Sequence, residues 1–422
     1  MRSCAPARHP EPPARDAALS RRMFPALREI REVYLDSAST TQKPESVIAA
    51  VTAYHSARTA NAGRGTYSWA TSLTREIDGV RDRMAAFIGA QPDEVVFTGG
   101  STAGFHAVAL SWGLTTLREG DEILYSPRDH ASNVYPWVQL RQLLAGFGRT
   151  IHLVPYRVNG LGEADVEDIA AKVSPRTRLI TVSHLHHVFG ALTTLEELRG
   201  RIDPSIALCF DCSQSGGHLP VDVGDLDADF AIFAGHKMFG TPGTGVLYCR
   251  RRRHPELSPF LPGGNSGVFL DDSGLRAGPM PQRMEGGTPN IPGILALGAA
   301  LEVLEDLGPD AIRTHNLALT QRLITGLRPI TGLDFLPGPA HAPCETGYGI
   351  ASFTLNGISA NDLGFVLGEL GFLVRAGAHC VPSNNEPGDE DSVRVSTHIY
   401  NTFDEIDRFT RSVATIAEEV SS

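Results

Sequence analysis

No stretch of the sequence reaches the roughly 18–20 consecutive apolar residues that a membrane span requires. Basic residues are outnumbered: 37 Lys and Arg stand against 48 Asp and Glu, a net charge of −11. Nucleic-acid binding needs a basic face, so nucleic acid is excluded as the main partner, whereas small anions in local pockets are not. Cysteine is sparse, with six residues at positions 4, 209, 212, 249, 344 and 380. Scattered so thinly they make no disulfide framework, and the chain is read as a reduced, cytoplasmic protein. Cys209 and Cys212 form a C-x-x-C. No second such pair follows, and the setting IALCFDCSQ is that of a buried strand end rather than a redox or zinc motif. Residues 1–22 lack the apolar segment of a secretory signal; rich in Pro, Ala and Arg, they are expected to be a disordered leader.

What is present is a globular chain of 422 residues with 42% hydrophobic and 20% charged content. That length suggests one large domain with a smaller one. Apolar runs (EVVFTGG, DEILYSP, TIHLVPY, TRLITVSHL, IALCFDC, ADFAIFAG, TGVLYCR) alternate with helical segments such as ADVEDIAAKV and TTLEELRGRI. Near-continuous Ile/Val/Leu strands between helices predict an α/β fold with a largely parallel sheet. A Gly/Pro-rich break around 255–290 and later short strands predict a smaller α+β C-terminal domain. The expected division is 23–39 as an N-terminal segment packing with the small domain, 40–296 as the large domain and 297–422 as the small one.

In such sheets ligands gather at the carboxyl ends of strands. Four features fall there. TGGST (98–102) is a glycine turn feeding a helix whose free N–H groups suit a phosphate, with Ser101 and Thr102 as cap candidates. RDHASN brings His130, FDCSQ brings Asp211, and AGHK brings Lys237. A lysine in apolar surroundings has a lowered pKa and becomes a nucleophile for an aldehyde. A carboxylate for a pyridinium nitrogen, an aromatic ring to stack and a helix N-terminus for a phosphate complete what pyridoxal phosphate requires.

Over NAGRGTYS, FTGGST, DHASNVYPW, FDCSQSGGHLPVDV, FAGHKMFGTPGTGVLY, RMEGGTPN, VRAGAHC and VRVSTHIYNTFDEID the sequence resembles class V aminotransferase-like, fold-type I pyridoxal phosphate enzymes. It is most similar to SUF-type cysteine desulfurases and selenocysteine lyases. The resemblance implies that Lys237 holds the cofactor aldehyde, Asp211 partners the ring nitrogen, Gln214 donates to the ring hydroxyl and His130 stacks on the ring. It implies Ser101, Thr102 and His236 as phosphate ligands. Thr288 would reach the phosphate of a neighbouring subunit, hence a homodimer with active sites at its interface. Arg394 would bind the substrate carboxylate, with Arg375 as a second arginine of that pocket. Cys380 would take sulfur as a persulfide and pass it to an acceptor protein.

The pattern departs at Gly63, Ala234, His186, His187 and Ala378, positions that cluster around the substrate. His187 is read as replacing an asparagine near the ring, and no metal site is read at His184, His186 and His187. Another reaction of the same scaffold stays open as an alternative: transamination, epimerisation or β-eliminating C–S cleavage. So does a protein that keeps the fold only to bind a partner. The segment 380–393 is expected to be mobile.

Overall fold

The computed structural model describes residues 21–341, 347–382 and 391–421. Residues 1–20 of the expected leader, Cys344, and 383–390 of the segment read as mobile lie outside them. Arg21, at the end of that leader, is part of the folded body and pairs with Glu405 at 2.6 Å.

The main sheet has seven strands: β1 (Val95–Thr98), β2 (Glu122–Tyr125), β3 (His152–Pro155), β4 (Thr177–Ser183), β5 (Ala207–Asp211), β6 (Phe230–Ala234) and β7 (Gly245–Cys249), in the order β1-β7-β6-β5-β4-β2-β3. Only β7 runs antiparallel to its neighbours; β6, β5, β4, β2 and β3 are parallel. Alternate residues divide between two apolar layers. Leu208, Phe210 and Phe233 face one core, and Ala207, Cys209 and Ile232 the other. Burial on both faces is why these strands read as unbroken apolar runs. Cys209, Cys212 and Cys249 are buried thiols in or beside these strands.

A second sheet of β8 (Leu333–Phe335), β9 (Ile350–Leu355), β10 (Arg375–Gly377) and β11 (Ser392–Ser396) is antiparallel in the order β8-β9-β11-β10. Helices Pro309–Leu327, Ala360–Glu369 and Phe403–Ser421 share its core. The N-terminal segment joins this layer: Val33–Tyr34 pairs with Phe372–Leu373, and Asp36 bridges Ser396. The expected boundary at 297 falls inside the helix Ile291–Leu307, whose apolar residues belong to the large core.

Candidate active site

Because β1, β2, β4, β5 and β6 run the same way, the chain leaves all five at one edge of the sheet. The turn Gly235–Lys237 follows β6, Asp211 ends β5, His184 follows β4, and His130 lies in the loop after β2. After β1 the helix starts at Ser101. Its cap is Gly100 (φ 122°), so Ser101 and Thr102 are its first residues and not its caps. A glycine is also required across the gap, since a Cβ on Gly245 would stand 2.7 Å from Gly100 Cα.

Ser101, His130, Ser183, Leu185, His187, Asp211, Ser213, Gln214 and Lys237 line one pocket. Burial lowers the Lys237 ammonium to about 8, against the opposing pull of Asp211. Burial pushes Asp211 upward, while Ser213 N–H, donating to Oδ1 at 2.9 Å, and Lys237 favour its charge. His130, lowered to about 3 by burial and then by Lys237, is neutral. Its ring meets His187 edge-on at 5.0 Å.

The three histidines after β4 separate. His184 Nδ1 meets Ser215 Oγ at 3.0 Å, and His186 stacks on Phe189 at 4.2 Å while Nε2 donates to the Arg128 carbonyl. Only His187 reaches the pocket. Among the described residues no group of three His, Cys, Asp or Glu could hold a metal ion.

The small sheet supplies the other wall. Register sets Arg375 of β10 directly opposite Arg394 of β11. Arg394, 2% exposed, donates from Nη1 to the His187 carbonyl (2.9 Å) and from Nη2 to Asp36 Oδ1 (3.2 Å) and Ser39 Oγ (2.8 Å). Arg375 donates from Nη1 to Ser39 Oγ (3.0 Å) and from Nη2 to Cys380 Sγ (3.2 Å). Cys380 is exposed, and both it and His379 have left-handed backbones, φ 64° and 51°. Such a pair is held only by its surroundings. His187 Nε2 donates to the His379 carbonyl, and Ala131 N–H to that of Cys380, each at 3.0 Å.

Three expected ligands stand outside the lining. Thr102 Oγ1 is engaged with Ser132 Oγ at 2.7 Å. His236 contributes its carbonyl, which accepts from Lys43 Nζ at 2.8 Å. Thr288 is exposed in the loop before the helix Ile291–Leu307, apart from the pocket of its own chain.

Sequence reasoning missed Asp36, Ser39, Lys43 and Asp129. Lys43 is a half-buried lysine whose ammonium burial lowers to about 7, tied to the Thr41 and His236 carbonyls. Asp129, behind His130, is raised to about 8 by burial and then by Asp211.

Residues 33–409 match the profile of the aminotransferase class-V family. The chain belongs to that family. Curated relatives include the probable cysteine desulfurase of Methanothermobacter thermautotrophicus, 35% identical over 407 residues, covering 94% of this chain and 97% of the relative. That of Halalkalibacterium halodurans is 34% identical, covering 93% and 96%. Among solved structures, a cysteine desulfurase from Thermococcus onnurineus NA1 superposes with a TM-score of 0.86 at 29% identity, covering 94% of this chain and 97% of that one. One from Escherichia coli gives 0.84 at 29% identity, with 96% and 99% covered. The fold is that of these class-V enzymes, and their cofactor is pyridoxal phosphate.

The residues present fit that cofactor. Lys237 offers an amine of lowered basicity, Asp211 a buried carboxylate, His130 a neutral ring and Ser101 the start of a helix. Gln214 Oε1, Ser213 Oγ, His187 Nδ1 and Arg394 Nε are buried polar atoms with no hydrogen-bond partner among the described residues. Buried polar groups ordinarily have partners, and these four border the pocket or its rim.

Proposed function

We propose that the chain is a pyridoxal phosphate-dependent cysteine desulfurase that moves the sulfur of L-cysteine, or the selenium of selenocysteine, onto Cys380 and releases alanine. The observation that carries this reading is the thiol itself: Cys380 Sγ lies 3.2 Å from Arg375, whose strand neighbour is Arg394 beside the Lys237 pocket. The relatives named as cysteine desulfurases support it.

In this reading Lys237 tethers the cofactor and takes the substrate α-proton. Asp211 holds the proton on the ring nitrogen, Gln214 meets the ring hydroxyl and His130 covers the ring. Ser101, Thr102 and His236 serve the phosphate. The bound cofactor supplies an electron sink for charge developed at the substrate α-carbon. Arg394 fixes the substrate carboxylate in a charge-assisted pair, with Arg375 and His187 closing the pocket. Cys380, as thiolate, attacks the substrate sulfur. The new S–S bond forms as the Cβ–S bond breaks, Cβ gains a proton, and alanine leaves a persulfide on Cys380. An acceptor protein takes that sulfur.

The test is incubation of the holoenzyme with L-cysteine, assaying alanine and sulfur. Wild type should yield them one to one, and Cys380→Ala should lose at least about a hundredfold in rate. Undiminished sulfide with pyruvate in Cys380→Ala would replace this reading with β-elimination.

A homodimer belongs to the same proposal, with Thr288 serving the neighbouring subunit's phosphate. Tyr67 and Trp69 are exposed, and Trp69 borders a groove with Tyr54, Leu73 and Leu295, a face suited to a second copy. Sedimentation of Trp69→Glu as a dimer would count against that interface. A reducing compartment such as the cytoplasm suits the four described cysteines, all free thiols. No helix among the described residues is long and apolar enough to cross a membrane.

A further inference from the structure

Ser39 sits at the junction of the two arginines. Arg375 and Arg394 are directly opposed across β10 and β11. Like charges so placed repel unless an acceptor lies between them. The Ser39 hydroxyl is that acceptor. Oγ accepts from Arg375 Nη1 at 3.0 Å and from Arg394 Nη2 at 2.8 Å, and donates to Asp36 Oδ1 at 2.7 Å. One proton donated and two lone pairs filled exhaust a hydroxyl. The geometry that results is directional. With Nη1 held by Ser39, the planar fork of Arg375 turns Nη2 onto Cys380 Sγ at 3.2 Å. On the other side, Arg394 keeps Nε buried with no partner among the described residues.

We propose that Ser39 is a positioning residue that acts through Arg375, aiming its guanidinium at the Cys380 thiolate while joining it to the carboxylate-binding Arg394. This rests on the desulfurase reading for its purpose but not for its test. A guanidinium held against the sulfur fixes where that atom sits and donates a directed hydrogen bond to it. Alanine at 39 leaves Arg375 Nη1 without its acceptor and frees the fork to rotate away from the sulfur.

The experiment follows the rate of Cys380 alkylation by iodoacetamide at pH 7, read by mass mapping of the Cys380 peptide, in the full-length holoenzyme. Ser39→Ala should slow alkylation about tenfold. Arg375→Gln should slow it likewise, and the double variant should be no slower than Arg375→Gln alone. Ser39→Thr, which keeps a hydroxyl, should restore the wild-type rate. Equal wild-type and Ser39→Ala rates would overturn the proposal, as would fully additive effects in the double variant. Far-UV circular dichroism confirms that each variant is folded. Absence of sulfur release from L-cysteine in the wild type would sink the desulfurase reading and leave the alkylation result standing.

Discussion

The imidazole of His187 donates its Nε2 proton to the carbonyl of His379, 3.0 Å away and one residue before the thiol of Cys380. This bond crosses from the large sheet to the small one and holds a turn whose backbone is unfavourable without support. In His187→Ala the carbonyl loses its donor, a change worth about 1 kcal/mol. Single-turnover formation of the Cys380 persulfide is expected to slow about fivefold, while the visible absorbance of the bound cofactor persists. An unchanged rate in stopped-flow or rapid-quench measurement would show that the turn does not need His187.

Lys237→Ala removes the amine. Borohydride reduction followed by peptide mapping is expected to label Lys237 in the wild type with a vitamin-B6 group and to label nothing in the variant. Alanine production should fall at least about a thousandfold. A B6 label on a different lysine would refute the assignment.

The Lys237 ammonium is lowered to about 8 because burial penalises its charge, and Asp211 opposes that. Only the free amine condenses with an aldehyde. The rate at which cofactor-free protein takes up pyridoxal phosphate is therefore expected to rise with pH through a midpoint near 8 and then level. Asp211→Asn removes the charge that favours the ammonium, so its midpoint should lie lower still. A midpoint near that of an ordinary lysine, 10.5, would contradict the burial argument.

Asp129 accepts from Asn133 Nδ2 at 2.8 Å and is raised from 3.8 to about 8, first by burial and then by Asp211. The folded protein thus keeps a proton that the unfolded chain has released. The stability due to this group is complete below about pH 4 and is lost as pH climbs toward 8. Asp129→Asn, neutral throughout, should melt close to wild type at pH 4 and above it at pH 8. The gap should grow by at most about 1.4 kcal/mol per pH unit. Calorimetric curves that stay parallel across this window would exclude the effect.

Gly217 lies against the cofactor-bearing turn: a Cβ there would stand 2.3 Å from the Lys237 carbonyl oxygen. Gly217→Ala should push that turn aside, weaken cofactor retention at least about tenfold and lower the melting temperature by several degrees. Wild-type cofactor affinity, measured by absorbance titration, would show that the turn can yield.

The large sheet was legible because its strands are buried on both faces and therefore apolar without interruption. Lys237, Asp211 and His130 were legible because they punctuate those runs. The meeting of Arg375 and Arg394 depends on the register of β10 against β11, which no sequence spacing displays. Ser39 and Asp36 lie in a segment without periodicity, and their partner Arg394 is 355 and 358 residues away. The boundary expected at 297 falls within the helix Ile291–Leu307, which is apolar on most of its surface and offers no seam. Asp129 went unread, since nothing in RDHASN announces that the residue is 3% exposed.

The pairing of Val33–Tyr34 with Phe372–Leu373, and of Asp36 with Arg394, also sets a timetable. Residues 33–36 must wait for residues 372–394 to be made before the substrate end of the pocket can exist. The lysine end, lined by residues between 101 and 237 on a sheet that β7 completes at Cys249, can form earlier in synthesis. A chain that ends, or is clipped, before residue 372 could therefore capture its cofactor and still be unable to turn over an amino acid, which keeps a sulfur-releasing activity silent until residues 372–394 are in place.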